Sequence, residues 1–252
     1  MNEGPLITNL PAGWTLRWLT QVDSTNRELQ QLARRGCPIG TVLGADQQIV
    51  GHGRLGRAWI SLGLDTLTFS VLVRPQVPQL RWHEMILVTG VAVVDALRQT
   101  GADLALKWPN DVVAFRSGAK CAGILSEKVI TPQGAALVVG IGINVSASPE
   151  LLDRPATSLT AAGGNAKRDD VLACVLLELK RWIDAWETDQ DLREAYEQRC
   201  TTLGLTVQVA THDRTFVGTA TGIDARGGLI LEVDGRSLVV RLADVTHLRP
   251  QS

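Results

Sequence analysis

The chain has almost no net charge, no closely spaced cysteines and no long unbroken apolar run, and each absence removes a class of function. Its 25 Lys and Arg are set against 26 Asp and Glu, a formal charge of -1. The chain as a whole is therefore no polycation, and general binding to nucleic acid is not suggested, which leaves open only a local basic patch. Cys37, Cys121, Cys174 and Cys200 stand far apart and form no CxxC pair. That spread fits small buried residues in a reducing compartment better than a disulfide frame or a zinc site, so no metal ligands are expected. The N-terminus, MNEGPLITNLPAGW, lacks a basic start followed by an apolar run, which excludes a signal peptide from the expectation. The most apolar stretch, Met85 to Ala96, is interrupted by Thr89, Gly90 and Asp95 and is too short to span a bilayer. No membrane partner and a cytoplasmic location are the expectations that follow.

What is present suffices for a large core. The chain has 252 residues, 45% hydrophobic and 20% charged, a length and balance at which a globular fold needs no disulfide support. Residues 25 to 35 read as an amphipathic helix with Leu29, Leu32 and Ala33 on one face, started by Ser24 or Thr25 and ended by Gly36. Thr41 to Ala45 and Thr66 to Val73 read as strands, Leu80 to Thr100 as a long core helix. Leu104 to Lys107, Cys121 to Val129 and Ala135 to Ile143 are the next strands, and Arg168 to Trp186 and Asp191 to Leu203 two further helices. From Leu205 the pattern changes to short alternating segments, TVQVAT, TFVGTATGID, GGLILEV and SLVVRL, separated by turns at His212-Asp213, Gly227-Gly228 and Asp234-Gly235. Such spacing predicts a small β-barrel. The fold class is thus α/β (α+β), a mixed β-sheet backed by helices over residues 1–203, with an all-β domain over 204–252.

Four local patterns have chemical content. In Gly51-His52-Gly53-Arg54-Leu55-Gly56-Arg57, three glycines let backbone amides approach a ligand, and two arginines bring donors suited to phosphate or carboxylate. The spacing matches neither a P-loop nor a Rossmann fingerprint, and a solvated surface turn is the competing reading. Lys107-Trp108-Pro109-Asn110-Asp111 packs a cation, an aromatic, an amide and a carboxylate around a turn, where Asn110 or Asp111 could simply bond nearby backbone. Lys120 opens the apolar run Cys121 to Leu125 and stands at the core rim, either as a site residue or as a snorkelling lysine. Gly140-Ile141-Gly142-Ile143-Asn144 ends a buried strand in glycines and one amide, which either reads a nucleobase edge or merely terminates the strand.

In this order, Asp23-Ser24-Thr25-Asn26, Gln48 with the Gly51 to Arg57 loop and Trp59, then KWPND, KCAGIL and GIGIN, the chain resembles the catalytic module of biotin protein ligases. The resemblance runs from about Val22 to Asn144, and GTATGID with DVTHLR extends it into the C-terminal part. It implies a class II synthetase-like catalytic domain with an SH3-like barrel, and a ligase that forms a C–N bond while converting ATP to AMP and diphosphate. Biotin, ATP and Mg²⁺ would be the substrates and cofactor. The product would be biotin on a lysine of a biotin carboxyl carrier protein, a subunit of acetyl-CoA carboxylase or a related carrier domain, through biotinyl-5'-AMP. The resemblance assigns catalysis to Lys120, Arg54 and Asp111. Ser24, Thr25 and Gln48 would hold the ureido group, Asn144 adenine, and Trp59 would cover the adenylate. Asn26, Gly51, His52, Gly53, Arg57, Lys107, Asn110 and Gly123 complete the binding set. Both chemical steps concentrate negative charge, which positioned cations stabilise.

Two features depart from the family pattern. His52 replaces the first arginine of the usual GRGRxGR loop. The Asp-Ser-Thr-Asn motif also begins at residue 23, which leaves no room before it for the winged-helix segment of the repressor-type relatives, so no operator recognition is expected. A homodimer through the main sheet stays open. The rival readings are a lipoate or octanoyl ligase or transferase of the same fold, and a non-catalytic biotin sensor.

Overall fold

The computed structural model describes residues 5, 7, 9–150, 155–189, 192–211, 214–241 and 244–247. In chain order the elements are β1 (Thr15–Val22), α1 (Thr25–Arg34), β2 (Thr41–Gln48), β3 (Gly51–His52), β4 (Ala58–Trp59), β5 (Thr66–Val73), α2 (Met85–Arg98), β6 (Leu104–Lys107), β7 (Asp111–Ala114), β8 (Lys120–Thr131), β9 (Gly134–Asn144), α3 (Arg168–Glu187) and α4 (Leu192–Glu197), followed by β10 (Thr206–Ala210), β11 (Thr215–Ile223), β12 (Leu229–Val233), β13 (Arg236–Val240) and β14 (Asp244–His247).

Seven strands form one mixed sheet in the order β1-β2-β5-β9-β8-β7-β6. Only β1 and β2 run parallel, and α1 is the crossover that a parallel pair requires. β5 is buried along its whole length because both faces of the sheet are covered, so even the polar residues that alternate along it, Thr66, Thr68 and Ser70, are buried. On one face Leu29 and Ala33 of α1 pack with Leu43, Leu72 and Val138. On the other, Val42, Val71 and Val139 share a core with Val88 and Val91 of α2 and Val175 and Leu179 of α3. Each such buried side chain contributes about 1.5–3 kcal/mol relative to exposure. No helix among the described residues is long and apolar enough to cross a membrane.

The structure differs from the expectations where tertiary contacts override local pattern. Helix α1 ends as expected at Gly36 (φ 88), with Cys37 N–H bonding Leu32 O and Gly36 N–H bonding Ala33 O, a Schellman arrangement. Ser24 stands at the N-cap but makes no side-chain cap; instead Gln48 Oε1 accepts from the Thr25 amide at 2.8 Å. The expected helix from Leu80 begins as a 3₁₀ turn over Gln79–Glu84, and Trp82 of this turn and Met85, the first residue of α2, are both buried in the main core. The last helix is short, because residues 199–201 are recruited to the sheet edge: Leu106 N–H bonds Arg199 O and Thr201 N–H bonds Leu106 O, each at 2.8 Å. That covers the otherwise open edge of β6. β1, β7 and β14 were not foreseen as strands, nor were β3 and β4 within the 51–59 loop. The expected helix start at Asp191, the turn at His212-Asp213 and the end of SLVVRL at Leu242 lie outside the described residues.

The C-terminal strands form an antiparallel sheet in the order β13-β12-β11-β10-β14. Among the described residues no pairing of β13 with β14 closes it, so the expected barrel is an open five-stranded sheet. Asp234 (φ 50) and Gly235 (φ 74) make the two-residue hairpin foreseen there, the positive φ values being those that match strand twist. Val207, Leu229 and Leu231 join the main hydrophobic core. Polar contacts fasten the two parts as well: Trp108 Nε1 donates to Gly227 O at 3.0 Å, and Ile223 N–H to Glu197 Oε1 at 2.8 Å.

Candidate functional site

One cavity of about 490 Å³ opens over the sheet where β2, β7, β8 and β9 meet the N-terminus of α1, the 51–59 hairpin and β14. Its lining includes Ser24, Thr25, Asn26, Gln48, His52, Gly53, Arg54, Arg57, Trp59, Lys107, Asn110, Asp111, Lys120, Gly123 and Asn144. Of the site residues that the resemblance assigns, Gly51 alone is not on the wall. It pairs with Trp59 in the β3–β4 hairpin, and a Cβ there would fall 2.4 Å from Trp59 O and 3.1 Å from Gln48 Nε2. Its role is thus to let the hairpin close against Gln48.

The KWPND segment is a hairpin corner in which Lys107 pairs with Asp111. Asn110 is fixed to β8 because its Nδ2 donates to Ile124 O at 3.0 Å and its carbonyl accepts Ile124 N–H at 3.0 Å. The Asn110 amide is thereby oriented, and its Oδ1 accepts from Arg54 Nη1 at 3.1 Å. Bonding to nearby backbone and holding a site cation are therefore both true of this residue. Between Val112 and Val113 the β7–β8 register slips, and that irregularity delivers Lys120 across β8, where its Nζ meets Asp111 Oδ1 at 2.6 Å. Gly123 makes the path possible, since a Cβ there would stand 2.9 Å from both Cε and Nζ of Lys120.

Gly142 does the same for an aromatic. A Cβ at 142 would lie 2.4 Å from Trp59 Cε2, so the indole rests flat on β9, with Lys120 Nζ 5.9 Å from a ring centroid. Among the lining residues four cations, Arg54, Arg57, Lys107 and Lys120, face a single carboxylate, Asp111. Burial lowers the Arg54 pKa, with Asp111 opposing that shift. Asn144, 2% exposed, gives its Nδ2 to Thr157 O at 3.0 Å and Lys120 O at 3.4 Å, while its Oδ1 is buried without a partner. Trp59 Nε1 and His52 Nε2 on the same wall are also buried without partners, although a buried polar atom left unmatched costs about 1–3 kcal/mol.

Ser117, Gly118, Pro149, Pro155 and Ala156 carried no signal in the sequence, and Val245, Thr246 and His247, part of DVTHLR, were not assigned to the site. The last three come from β14, so the C-terminal sheet closes part of the cavity. Thr202 joins them to the KWPND corner, its Oγ1 lying 3.0 Å from the donating Trp108 amide and 3.1 Å from His247 Nε2. Burial, reinforced by Lys107, depresses the His247 pKa to about 4.

Comparison with known proteins places this geometry. Residues 18–144 match the biotin/lipoate A/B protein ligase family, and residues 202–244 match the biotin protein ligase C-terminal domain. The biotin--[acetyl-CoA-carboxylase] ligase of Mycobacterium tuberculosis is 39% identical over 94% of this chain and 91% of its own length. The bifunctional ligase/repressor BirA of Bacillus subtilis is 30% identical over 89% of this chain and 71% of its own. The solved structure of the biotin protein ligase from Aquifex aeolicus in complex with biotin and ATP superposes with a TM-score of 0.77 at 31% identity, covering 93% of this chain and 98% of that one. By sequence over most of both chains and by fold, the chain belongs to the biotin/lipoate A/B protein ligase family.

Proposed function

We propose that this protein is a biotin–protein ligase, which joins biotin to a lysine of a biotin carboxyl carrier protein in two steps in one cavity. In the first step a biotin carboxylate oxygen attacks the α-phosphorus of ATP, and pyrophosphate leaves, giving biotinyl-5'-AMP. In the second the carrier lysine amine attacks the acyl carbon, AMP leaves, and the amine loses a proton. The observation that carries this reading is the pairing, in one cavity, of a neutral hydrogen-bonding end at Thr25 and Gln48 with a cationic end at Arg54 and Lys120. Biotin and biotinyl-AMP have that same asymmetry: a neutral ureido head at one end and an anionic group at the other.

In this reading Lys120 and Arg54 neutralise charge on the carboxylate and the α-phosphate, with Arg57 and Lys107 toward the departing phosphates. Donors fixed before the reaction need no reorganisation as that charge develops. Asp111, ion-paired to Lys120, is placed to orient the incoming amine and take its proton. The Asn144 Oδ1, its amide donors already committed, suits the exocyclic amine of adenine. Trp59 covers the adenylate and, with the 51–57 loop, keeps water from the mixed anhydride.

Mg²⁺ would arrive with ATP and offset phosphate charge. Asp111 is the sole carboxylate among the lining residues and is already paired, and no cluster of three candidate ligands occurs among the described residues. The donor set thus does not fit a resident metal, and no step above runs through one. The reading takes residues 1–203 as the catalytic domain and 204–252 as a closing domain, and it carries with it a cytoplasmic location. It also favours biotin over lipoate, because a dithiolane head offers nothing to match the polar atoms of Thr25 and Gln48. Incubation with labelled biotin, ATP and a biotin carrier domain should label one carrier lysine and release AMP and pyrophosphate. Labelling by lipoate at an equal or higher rate would overturn the choice of acid.

A further inference from the structure

The neutral end of the cavity is backed by a hydrogen-bond chain that none of the sequence motifs contains. Glu127 of β8 accepts, on Oε2, from Asn26 Nδ2 at 2.8 Å and from Gln30 Nε2 at 3.1 Å. Ser70 of β5, fully buried, places its hydroxyl 2.6 Å from Asn26 Oδ1 and 2.8 Å from Thr25 Oγ1. Thr25 Oγ1 is in turn 3.0 Å from Gln48 Oε1, which also accepts the Thr25 amide. Gly140 leaves the room for this crossing, since a Cβ there would stand 2.2 Å from Asn26 Oδ1.

Proton counting gives the chain a direction. A carboxylate only accepts, so Glu127 holds the Nδ2 side of Asn26, and the Asn26 oxygen must face Ser70. Ser70 therefore spends its one proton on Asn26. Thr25 then gives its own proton either to Gln48 Oε1 or to the Ser70 oxygen, and in both cases keeps a lone pair for the cavity. A backbone amide only donates, so Gln48 turns Oε1 to Thr25 and Nε2 away from it. The result is an acceptor at Thr25 beside a donor at Gln48.

We propose that Ser70 and Glu127 are positioning residues for the acid substrate: acting through Asn26, they keep Thr25 an acceptor and so select a head group that carries N–H donors next to a carbonyl. This rests on the placement of biotin's ureido group at Thr25 and Gln48 given above. Fixed polarity in a buried site discriminates more strongly than shape, because the wrong partner leaves both groups unmatched.

The test is calorimetric binding of biotin to the full chain, with steady-state kinetics on the same variants. Ser70→Ala and Glu127→Leu should each weaken biotin about tenfold, the scale of one buried hydrogen bond. Neither should change kcat or the KM for ATP as much as twofold. Glu127→Gln, which can still present an oxygen to Asn26, should return to within about threefold of the wild type. On a Thr25→Val background Ser70→Ala should add less than about twofold, because the two act in one chain. Wild-type affinity in Ser70→Ala and Glu127→Leu, or full additivity with Thr25→Val, would overturn the proposal while leaving the biotin placement intact. Wild-type affinity in Thr25→Val itself would overturn the placement and the proposal with it.

Discussion

The two ends of the cavity are built by opposite means. At the Thr25–Gln48 end the groups facing the cavity are neutral and bonded to strand and helix neighbours; Thr25 is 3% exposed, Gln48 half-buried, and the fully buried Ser70 stands behind them. At the Arg54–Lys120 end the groups are charged and partly solvated, with the side chains of Lys120 and Asp111 30% and 26% exposed, and they stand on a hairpin, a corner and a register slip. A neutral, rigid end costs little to desolvate and discriminates by geometry, whereas a charged end must accept an anion that moves and changes during the reaction. Under the proposed function, selection belongs to the first and rate to the second.

Substitutions that separate affinity from rate test this division most severely. Lys120→Ala should lower the rate of biotinyl-AMP formation about a hundredfold, ~3 kcal/mol of lost charge stabilisation, with biotin affinity nearly unchanged. Pyrophosphate release at the wild-type rate would remove Lys120 from the chemistry, and a parallel loss of biotin affinity would erase the distinction between the ends. Gly142→Ala should follow, on the order of tenfold in adenylate affinity, because its methyl group enters the space of the Trp59 ring and overpacking costs about 1–3 kcal/mol. Stopped-flow adenylate release reads it, and an unchanged off-rate would mean that the indole does not cover the intermediate.

Arg54→Gly removes the charge held by Asn110 and should raise adenylate escape several-fold, about the scale of one charge-assisted contact. Released biotinyl-AMP would then label lysines of bystander proteins, whereas mass spectrometry finding label on the carrier lysine alone would contradict it. The smallest effect concerns His247, whose pKa is held near 4, below its ordinary value of 6.5. Between those values the unfolded chain binds the extra proton, so this contribution to stability is full above pH 6.5 and is lost as pH falls toward 4. The Tm of His247→Gln should therefore drop less between pH 7 and pH 5 than that of the wild type; equal drops would show that His247 does not titrate this way.

The same contrast governs what the sequence made legible. The charged end was readable because KWPND, Lys120 and the 51–57 loop are each contiguous, and a hairpin keeps neighbours in sequence together in space. The main strands and α1 were readable from periodicity. Ser70 was not, because one serine inside TLTFSVLV reads only as strand; its partners Thr25 and Asn26 are 45 and 44 positions away on α1, and Glu127 joins the chain only through Asn26. β1 escaped notice because it is an edge strand exposed at most positions, and β7 because four residues beside a corner show no period. The part played by β14 in the cavity follows from the bonds through Thr202 and Gly227, which only the assembled fold reveals.

The orientation of the intermediate tests the two-ended account most directly. In a crystal structure of the protein with biotinyl-5'-AMP, the ureido carbonyl should lie within hydrogen-bond distance of Gln48 Nε2, and a ureido N–H within that distance of Thr25 Oγ1. The phosphate should lie between Arg54 and Lys120. A ureido group seated among the cations, or an adenylate phosphate at Thr25 and Gln48, would contradict the account.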